Sequence, residues 1–208
     1  MQTFNPQEDK IAVVIKEFTL KKGSEGLFDS NNEPYILSIA IDQDGAQNAN
    51  LAINAKPFPN VQEGDTISFD GQGHLIYGPK NPGEFLVYAM LFMESDRDIR
   101  EFGAEMETVI HAEATQLAMK ALLVAQPTYA TAITLIEKLS ELVARKLKQN
   151  KDDELYLRTG TLLRDVVPAY DILRTYKGGN QFIECHTSIV PLVNSNFLGE
   201  QVRTVGIG

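Results

Sequence analysis

Phe85-Leu-Val-Tyr-Ala-Met-Leu-Phe-Met93 is the stretch of sequence that decides the fold. It is apolar at nearly every position, yet it is far shorter than the roughly 20 residues that a membrane span needs. A short apolar run of this kind predicts a strand with other parts of the protein covering both of its faces. The protein is therefore expected to be mainly β.

Alternating apolar residues and many β-branched side chains predict further strands before Phe85. They are Lys10–Lys21, Pro34–Ile41, Asn50–Asn54, Thr66–Phe69 and His74–Tyr77. Asp42–Gly45 is predicted to be a turn because Asp-Gly readily supplies positive φ, and Gly78–Gly83 is predicted to be a loop. Residues 10–93 are thus expected to be all-β, with no helix longer than two turns.

The pattern becomes helical between residues 105 and 149. Apolar residues recur there at steps of three and four, and Pro127 divides the stretch into two helices, the second of which Thr128 can cap. This predicts an antiparallel helical hairpin, inserted before two closing strands at Leu155–Leu163 and Phe182–Val190. We expect one domain over residues 1–208, a β-sandwich, with residues 194–208 as a C-terminal extension. An α+β arrangement is the competing architecture.

Composition excludes several classes of function. Lysine and arginine total 19 and aspartate and glutamate total 28, so the net charge is −9, which disfavours nucleic acid as a partner. Cys185 is the only cysteine, which rules out an intrachain disulfide, and its apolar surroundings predict a buried thiol. A polar, acidic N-terminus and the lack of a long apolar run predict cytoplasmic synthesis without a signal peptide or a membrane span.

No enzyme motif stands out in the sequence. His74, His111 and His186 lie on different predicted elements, and the neighbouring Cys185 and His186 should point to opposite faces of one strand. Phosphate loops, dinucleotide loops and nucleophile elbows are absent. The chain is therefore predicted not to be an enzyme, and a hydrolase that uses acidic loop residues is the least favoured function.

Two segments carry a resemblance to a known family. Gly26–Ile39 reads GLFDSNNEPYILSI, and Phe85–Gly103 reads FLVYAMLFMESDRDIREFG. They resemble the first acidic loop and its strand, and the strand that leads into an Asp-x-Asp loop, in C2 domains. The resemblance covers residues 10–104 and the strands after residue 154. It implies a C2-like antiparallel β-sandwich of eight strands, in a family of which many members bind calcium between these loops.

The resemblance also implies a set of calcium ligands. They are Asp29, Glu33, Glu94, Asp96 and Asp98. Clustered carboxylates can supply the six to eight oxygens that calcium prefers. The sequence departs from the family pattern because Glu33 and Glu94 stand where calcium-binding members have aspartate. A metal-free acidic rim, neutralised by Arg97 and Arg100, is the alternative.

These observations predict a non-enzymatic binding or structural assembly module that attaches to a protein partner or to further copies of itself, tuned by calcium. The alternative is a calcium-dependent peripheral membrane module that docks through the loops holding Phe28 and Ile99. Net acidity disfavours contact with anionic headgroups unless calcium is bound. The apolar face of the first helix, Ala112–Ala125, is expected to pack on its own domain or to bind a partner.

Overall fold

The protein is mainly β, and its described strands form two antiparallel sheets. The computed structural model describes residues 3–22, 33–95, 108, 112, 128–149, 152–193 and 203–206. In chain order, the described elements are β1 (Lys10–Leu20), β2 (Pro34–Asp42), α1 (Gln43–Asn48), β3 (Asn50–Pro57), β4 (Thr66–Ser68), β5 (His74–Lys80), β6 (Phe85–Glu94), α2 (Tyr129–Gln149), β7 (Asp153–Leu163), β8 (Thr175–Gly179), β9 (Ile183–Leu192) and β10 (Arg203–Gly206).

Sheet II has the strand order β10-β3-β2-β6-β7, and its neighbouring strands all pair antiparallel. The pairing of β2 with β6 extends from Pro34 opposite Glu94 to Asp42 opposite Leu86 without a register shift. Every residue of β2 and of β6 is buried. The prediction of a strand covered on both faces is therefore confirmed for Phe85–Met93.

Sheet I is built around β1, which pairs along its whole length with β9. On its other edge, β1 pairs with β5 over Ile11–Ile15 and with β4 over Glu17–Thr19. Strand β8 extends the sheet beyond β9. Two short strands thus follow one another along the same edge of β1, and the connection between them runs through Asp70–Gly73.

The two sheets pack face to face around a shared apolar core. Alternate residues of β6, from Leu86 to Phe92, contact alternate residues of β1, from Ile11 to Ile15, and Cys185 of β9 lies in the same cluster. Alternation along a strand directs the intervening residues of β6 to the opposite face of sheet II. The architecture is therefore sandwich-like, with sheet II in the middle of the molecule.

Helix α2 covers the outer face of sheet II. Ala132, Ile136, Leu139, Val143 and Leu147 form its buried stripe, which packs in one cluster with β2, β3 and β6. Thr128 caps the helix, its Oγ1 accepting a hydrogen bond from the amide of Thr131 at 3.3 Å. The second predicted helix and its cap are thus confirmed. The first helix of the predicted hairpin lies outside the described residues, apart from Thr108 and Ala112, which are both helical.

The structure corrects two local predictions. Asp42–Gly45 is not a simple turn, because the Asp42 carboxylate accepts a hydrogen bond from the Gly45 amide at 2.6 Å and starts the six-residue helix α1. Gly78–Gly83 is not entirely a loop, because β5 continues through Pro79 to Lys80. The missing proline N–H is tolerated since, among the described strands, β5 pairs with β1 alone.

Part of the predicted C-terminal extension is a strand. Residues Arg203–Gly206, within the predicted C-terminal extension, form β10 and pair with β3 at the edge of sheet II. Within the described residues the fold has ten strands in two sheets of five, compared with the eight strands of the C2 resemblance. None of the helices in the described part of the chain is long and apolar enough to cross a membrane.

Replacing Leu139 with alanine should show that α2 belongs to the core. Leu139 is fully buried against sheet II, so Leu139→Ala is expected to lower the free energy of unfolding by about 2–5 kcal/mol in denaturant titration. Glu141→Ala, on the exposed side of the same helix, should change it by no more than about 0.5 kcal/mol. Equal effects of the two substitutions would mean that the helix packs elsewhere.

Candidate functional site

The pairing of β2 with β6 brings two of the predicted calcium ligands to the same end of sheet II. Glu33 immediately precedes β2, and Glu94 is the last residue of β6, directly opposite Pro34. The amide of Ser95 donates a hydrogen bond to the Glu33 carbonyl at 3.3 Å, which ties the two segments together. Glu94 is buried, so this residue is part of the packed structure and does not belong to a solvated rim.

A third segment brings further acids to this end. Asp153 opens β7 and lies opposite Glu94, while Asp152 is buried and accepts a hydrogen bond from the Tyr35 hydroxyl at 2.8 Å. The amide of Asp152 in turn donates to the carbonyl of Leu147 in α2 at 3.2 Å. We call this set, namely Glu33, Glu94, Asp152 and Asp153, the acidic end of sheet II.

Sequence reasoning missed Asp152 and Asp153, although a signal for them was present. A strand was predicted at Leu155–Leu163, and an antiparallel neighbour of β6 must begin where β6 ends. Two acids just before that strand would therefore fall next to Glu94. The assignment required knowing that β7 pairs with β6, and periodicity within one segment cannot reveal a pairing partner.

The other predicted ligands, Asp29, Asp96 and Asp98, lie outside the described residues, as do Arg97 and Arg100. Over the described ranges, no group of three or more histidine, cysteine, aspartate or glutamate side chains is arranged to hold a metal ion. Calcium binding therefore stays a prediction. The structure brings Glu33 and Glu94 to one place, and carboxylate oxygens are the donors that calcium prefers.

The opposite end of sheet II contains a buried polar network centred on Asp42. Its carboxylate accepts hydrogen bonds from the Tyr77 hydroxyl and the Gly45 amide, both at 2.6 Å, and pairs with the Lys80 ammonium at 2.9 Å. Lys80 also contacts the Asp44 carboxylate at 2.7 Å, and this contact lowers the pKa of Asp44. Burial, reinforced by Asp42, holds the pKa of Tyr77 well above its usual range. The network joins β2, α1 and β5, so we assign it a structural role.

Arg158 of β7 occupies the open side of the sandwich, between the edge strands β7 and β8. Its guanidinium lies over the ring of Tyr176, with its central carbon 5.6 Å from the ring centroid. A Cβ at Gly178 would meet the ends of the Arg158 and Tyr156 side chains, which shows how closely Arg158 approaches β8. A cation stacked on an aromatic face is favourable in a partly buried place. Arg158 therefore helps to hold the two sheets together.

Cys185 is buried in the core, with 1% of its surface exposed, as the sequence predicted. Burial raises the pKa of its thiol, which keeps it protonated and unreactive at neutral pH. His186 does not act as its base, because its Nδ1 lies 2.9 Å from the Glu17 carboxylate on the neighbouring strand. The predicted opposite orientation of the two side chains agrees with this contact.

No protein-family model matches this chain, and no curated protein or solved structure matches it either.

Chemical modification of the single cysteine, Cys185, should show whether its thiol is buried. A bulky thiol reagent at neutral pH is expected to leave the native protein unmodified, because the thiol is enclosed by the core and protonated. The same protein unfolded in guanidinium chloride should take up one equivalent. Rapid modification of the native state would place the thiol at the surface and would reopen a redox or catalytic role.

Proposed function

We propose that this chain is a non-enzymatic attachment module on a C2-like sandwich, which binds a protein partner or further copies of itself within a larger assembly and is tuned by calcium. The observation that carries the proposal is the convergence at the acidic end of sheet II. The two segments that resemble C2 loops are far apart in the sequence, yet they adjoin where Glu33 precedes β2 and Glu94 ends β6.

A binding role fits the way the described buried polar groups are used. Asp42 caps α1 and anchors Lys80, and Asp152 fastens the start of β7 to Tyr35. Cys185 has a raised pKa, opposite to what a nucleophilic thiolate requires. These groups support the fold. A rigid two-sheet scaffold with loops at its ends is typical of proteins that present those loops to a partner.

The residues that would hold calcium are Asp29, Glu33, Glu94, Asp96 and Asp98. Carboxylates crowded at one end of a sheet repel one another, and a divalent cation would neutralise them and fasten their loops. Asp152 and Asp153 lie at the same end of the sheet, beside Glu94. Bound calcium would supply charge neutralisation and loop ordering, which makes it a regulator of attachment.

The alternative function is calcium-dependent binding to a membrane surface. It draws support from the same acidic end, because a calcium ion held there could bridge the carboxylates to anionic headgroups. Without calcium, an acidic end on a chain of net charge −9 would be repelled by such headgroups. The alternative therefore requires metal, whereas attachment to a protein does not.

A calcium titration of thermal stability tests the metal site. At one hundred times its dissociation constant, calcium should stabilise the native state by about 2.7 kcal/mol and raise the melting temperature by several degrees. Asp96→Asn should abolish the rise. Asp70→Asn, an exposed acid in the β4–β5 connection, should leave it intact. An unchanged melting temperature of chelator-treated protein at saturating calcium would reject the site and leave a metal-free scaffold.

Co-fractionation and vesicle flotation separate the two functions. In gentle lysates of the producing cells, the protein is expected to elute in a complex much larger than the 23.1 kDa chain, with or without chelator. Vesicles containing phosphatidylserine should not float the purified protein. Elution as a free monomer together with calcium-dependent flotation would contradict attachment to a protein and favour the membrane alternative.

A further inference from the structure

The connection between β7 and β8 presents large apolar side chains to solvent. We call residues 164–174 the apolar loop. Val167 is 95% exposed and Leu173 is 79% exposed, and Val166 is also on the surface. Among the described residues, only Tyr129 of α2 is a further large hydrophobic side chain that is this open. Three such side chains in one short connection form a local apolar feature that folding itself does not explain.

The backbone of the apolar loop is held in an unfavourable conformation. Tyr170, Asp171 and Leu173 have φ values of 54°, 53° and 63°, in the left-handed region that side chains with a Cβ seldom adopt. Such conformations persist only where the surroundings enforce them, and they often occur at functional sites. Leu173 is informative because its side chain is exposed, so packing of that side chain does not account for the strain.

Specific hydrogen bonds enforce this conformation. Tyr170 is fully buried, and the one hydrogen of its hydroxyl is shared between two acceptors, the carbonyls of Pro6, at 3.0 Å, and Gly83. The Tyr176 hydroxyl donates to the Asp171 carboxylate at 2.6 Å. Burial raises the pKa of Tyr170 to about 12, so this donor remains protonated at neutral pH. These contacts hold the part of the loop around Tyr170 and Asp171 in place without a bound partner.

The charged side chains of the apolar loop neutralise one another. Arg164 lies 3.3 Å from the Asp165 carboxylate and 3.6 Å from that of Glu84. Arg174 pairs with Asp171 at 2.8 Å. The exposed apolar side chains are thus accompanied by charged groups that leave no net charge on the loop.

We propose that the apolar loop is a docking element that inserts Val167 and Leu173 into an apolar pocket of a partner protein. An apolar centre with a polar rim is the usual anatomy of a protein interface. This inference rests on the proposed attachment function and names a surface for it, at the end of sheet II opposite the acidic end. The partner is identified by its chemistry, an apolar pocket with an uncharged or mixed rim.

Shape and charge favour a protein over a lipid surface. A fixed conformation lowers the entropic cost of fitting a shaped pocket, whereas a fluid bilayer has no shape to match. The paired arginines leave no surplus positive charge to attract anionic lipids, and the chain as a whole carries −9. A symmetric contact of loop against loop between two copies is disfavoured because it would oppose two sets of projecting side chains and would provide no pocket for either set.

Photo-crosslinking with competition tests the proposal. The full chain would carry the photoreactive residue p-benzoylphenylalanine in place of Val167, or in place of the exposed Lys56 of β3 as a control position, in the cells that produce it. Position 167 should give one discrete adduct that position 56 does not give. Added unlabelled wild-type protein should abolish at least nine-tenths of the adduct in lysate.

Competition by matched variants of the protein decides whether the apolar loop is responsible for the crosslinked contact. Val167→Asp should compete at least tenfold less well than wild type, whereas Tyr129→Asp, the same kind of change at the other exposed apolar residue, should compete fully. Leu173→Gly relieves the positive φ, so it should not lower the melting temperature, yet it should also compete poorly. A purely structural role for Leu173 would leave competition unchanged.

Several results would overturn the proposal. Equal competition by Val167→Asp and wild type would mean nonspecific contact, and an adduct consisting of two copies of this chain would assign the loop to self-association. Flotation of the protein on phosphatidylserine vesicles that is lost in Val167→Asp would assign it to a membrane. The absence of any adduct at position 167, while the protein still elutes in a large complex, would reject the docking loop and leave the attachment function standing.

Discussion

The pairing of β2 with β6 is the constraint on which the rest of the structure depends. Both strands are buried along their full length, and each contributes alternate residues to two different cores. One set faces sheet I and the other faces α2. A slip of one residue in this register would exchange the two sets of side chains, so both cores together fix the pairing.

The same pairing gives the two ends of sheet II different characters. At one end, the start of β2 and the end of β6 bring Glu33 next to Glu94, and β7 adds its acids beside them. At the other end, Asp42 organises a buried network and the apolar loop follows β7. The proposed attachment function rests on these two features, the acidic end of sheet II and the apolar loop.

Much of the β framework was predictable from local patterns. Alternation and β-branched residues indicated β1 to β5, a continuous apolar run indicated β6, and the closing strands β7 and β9 were also predicted. The failures share one cause, which is that the deciding contact is nonlocal. Pro79 is tolerated in β5 only because the strand pairs on one side, and β10 is a strand only because β3 offers an edge. Helix α1 needed the side-chain cap from Asp42, which a turn signal alone does not distinguish from a hairpin.

The candidate site was only partly predictable, because some of its deciding contacts are also nonlocal. The resemblance to C2 loops indicated Glu33 and Glu94, and the structure places them at adjacent ends of paired strands. Asp152 and Asp153 required the pairing of β7 with β6, and the strained backbone of Tyr170 and Leu173 depends on contacts with distant segments. Position in the sheet, more than composition, therefore decides which polar residues meet.

Native-state hydrogen exchange tests the central claim that the β2–β6 pair governs this fold. The amides of Ile36–Ile41 and of Val87–Phe92 should be the slowest in the protein, exchanging only through global unfolding, because two cores must open before their hydrogen bonds break. Amides of the edge strand β8 should exchange much faster through local opening. The account would be contradicted if the β2 and β6 amides exchanged at lower free energy than those of β8.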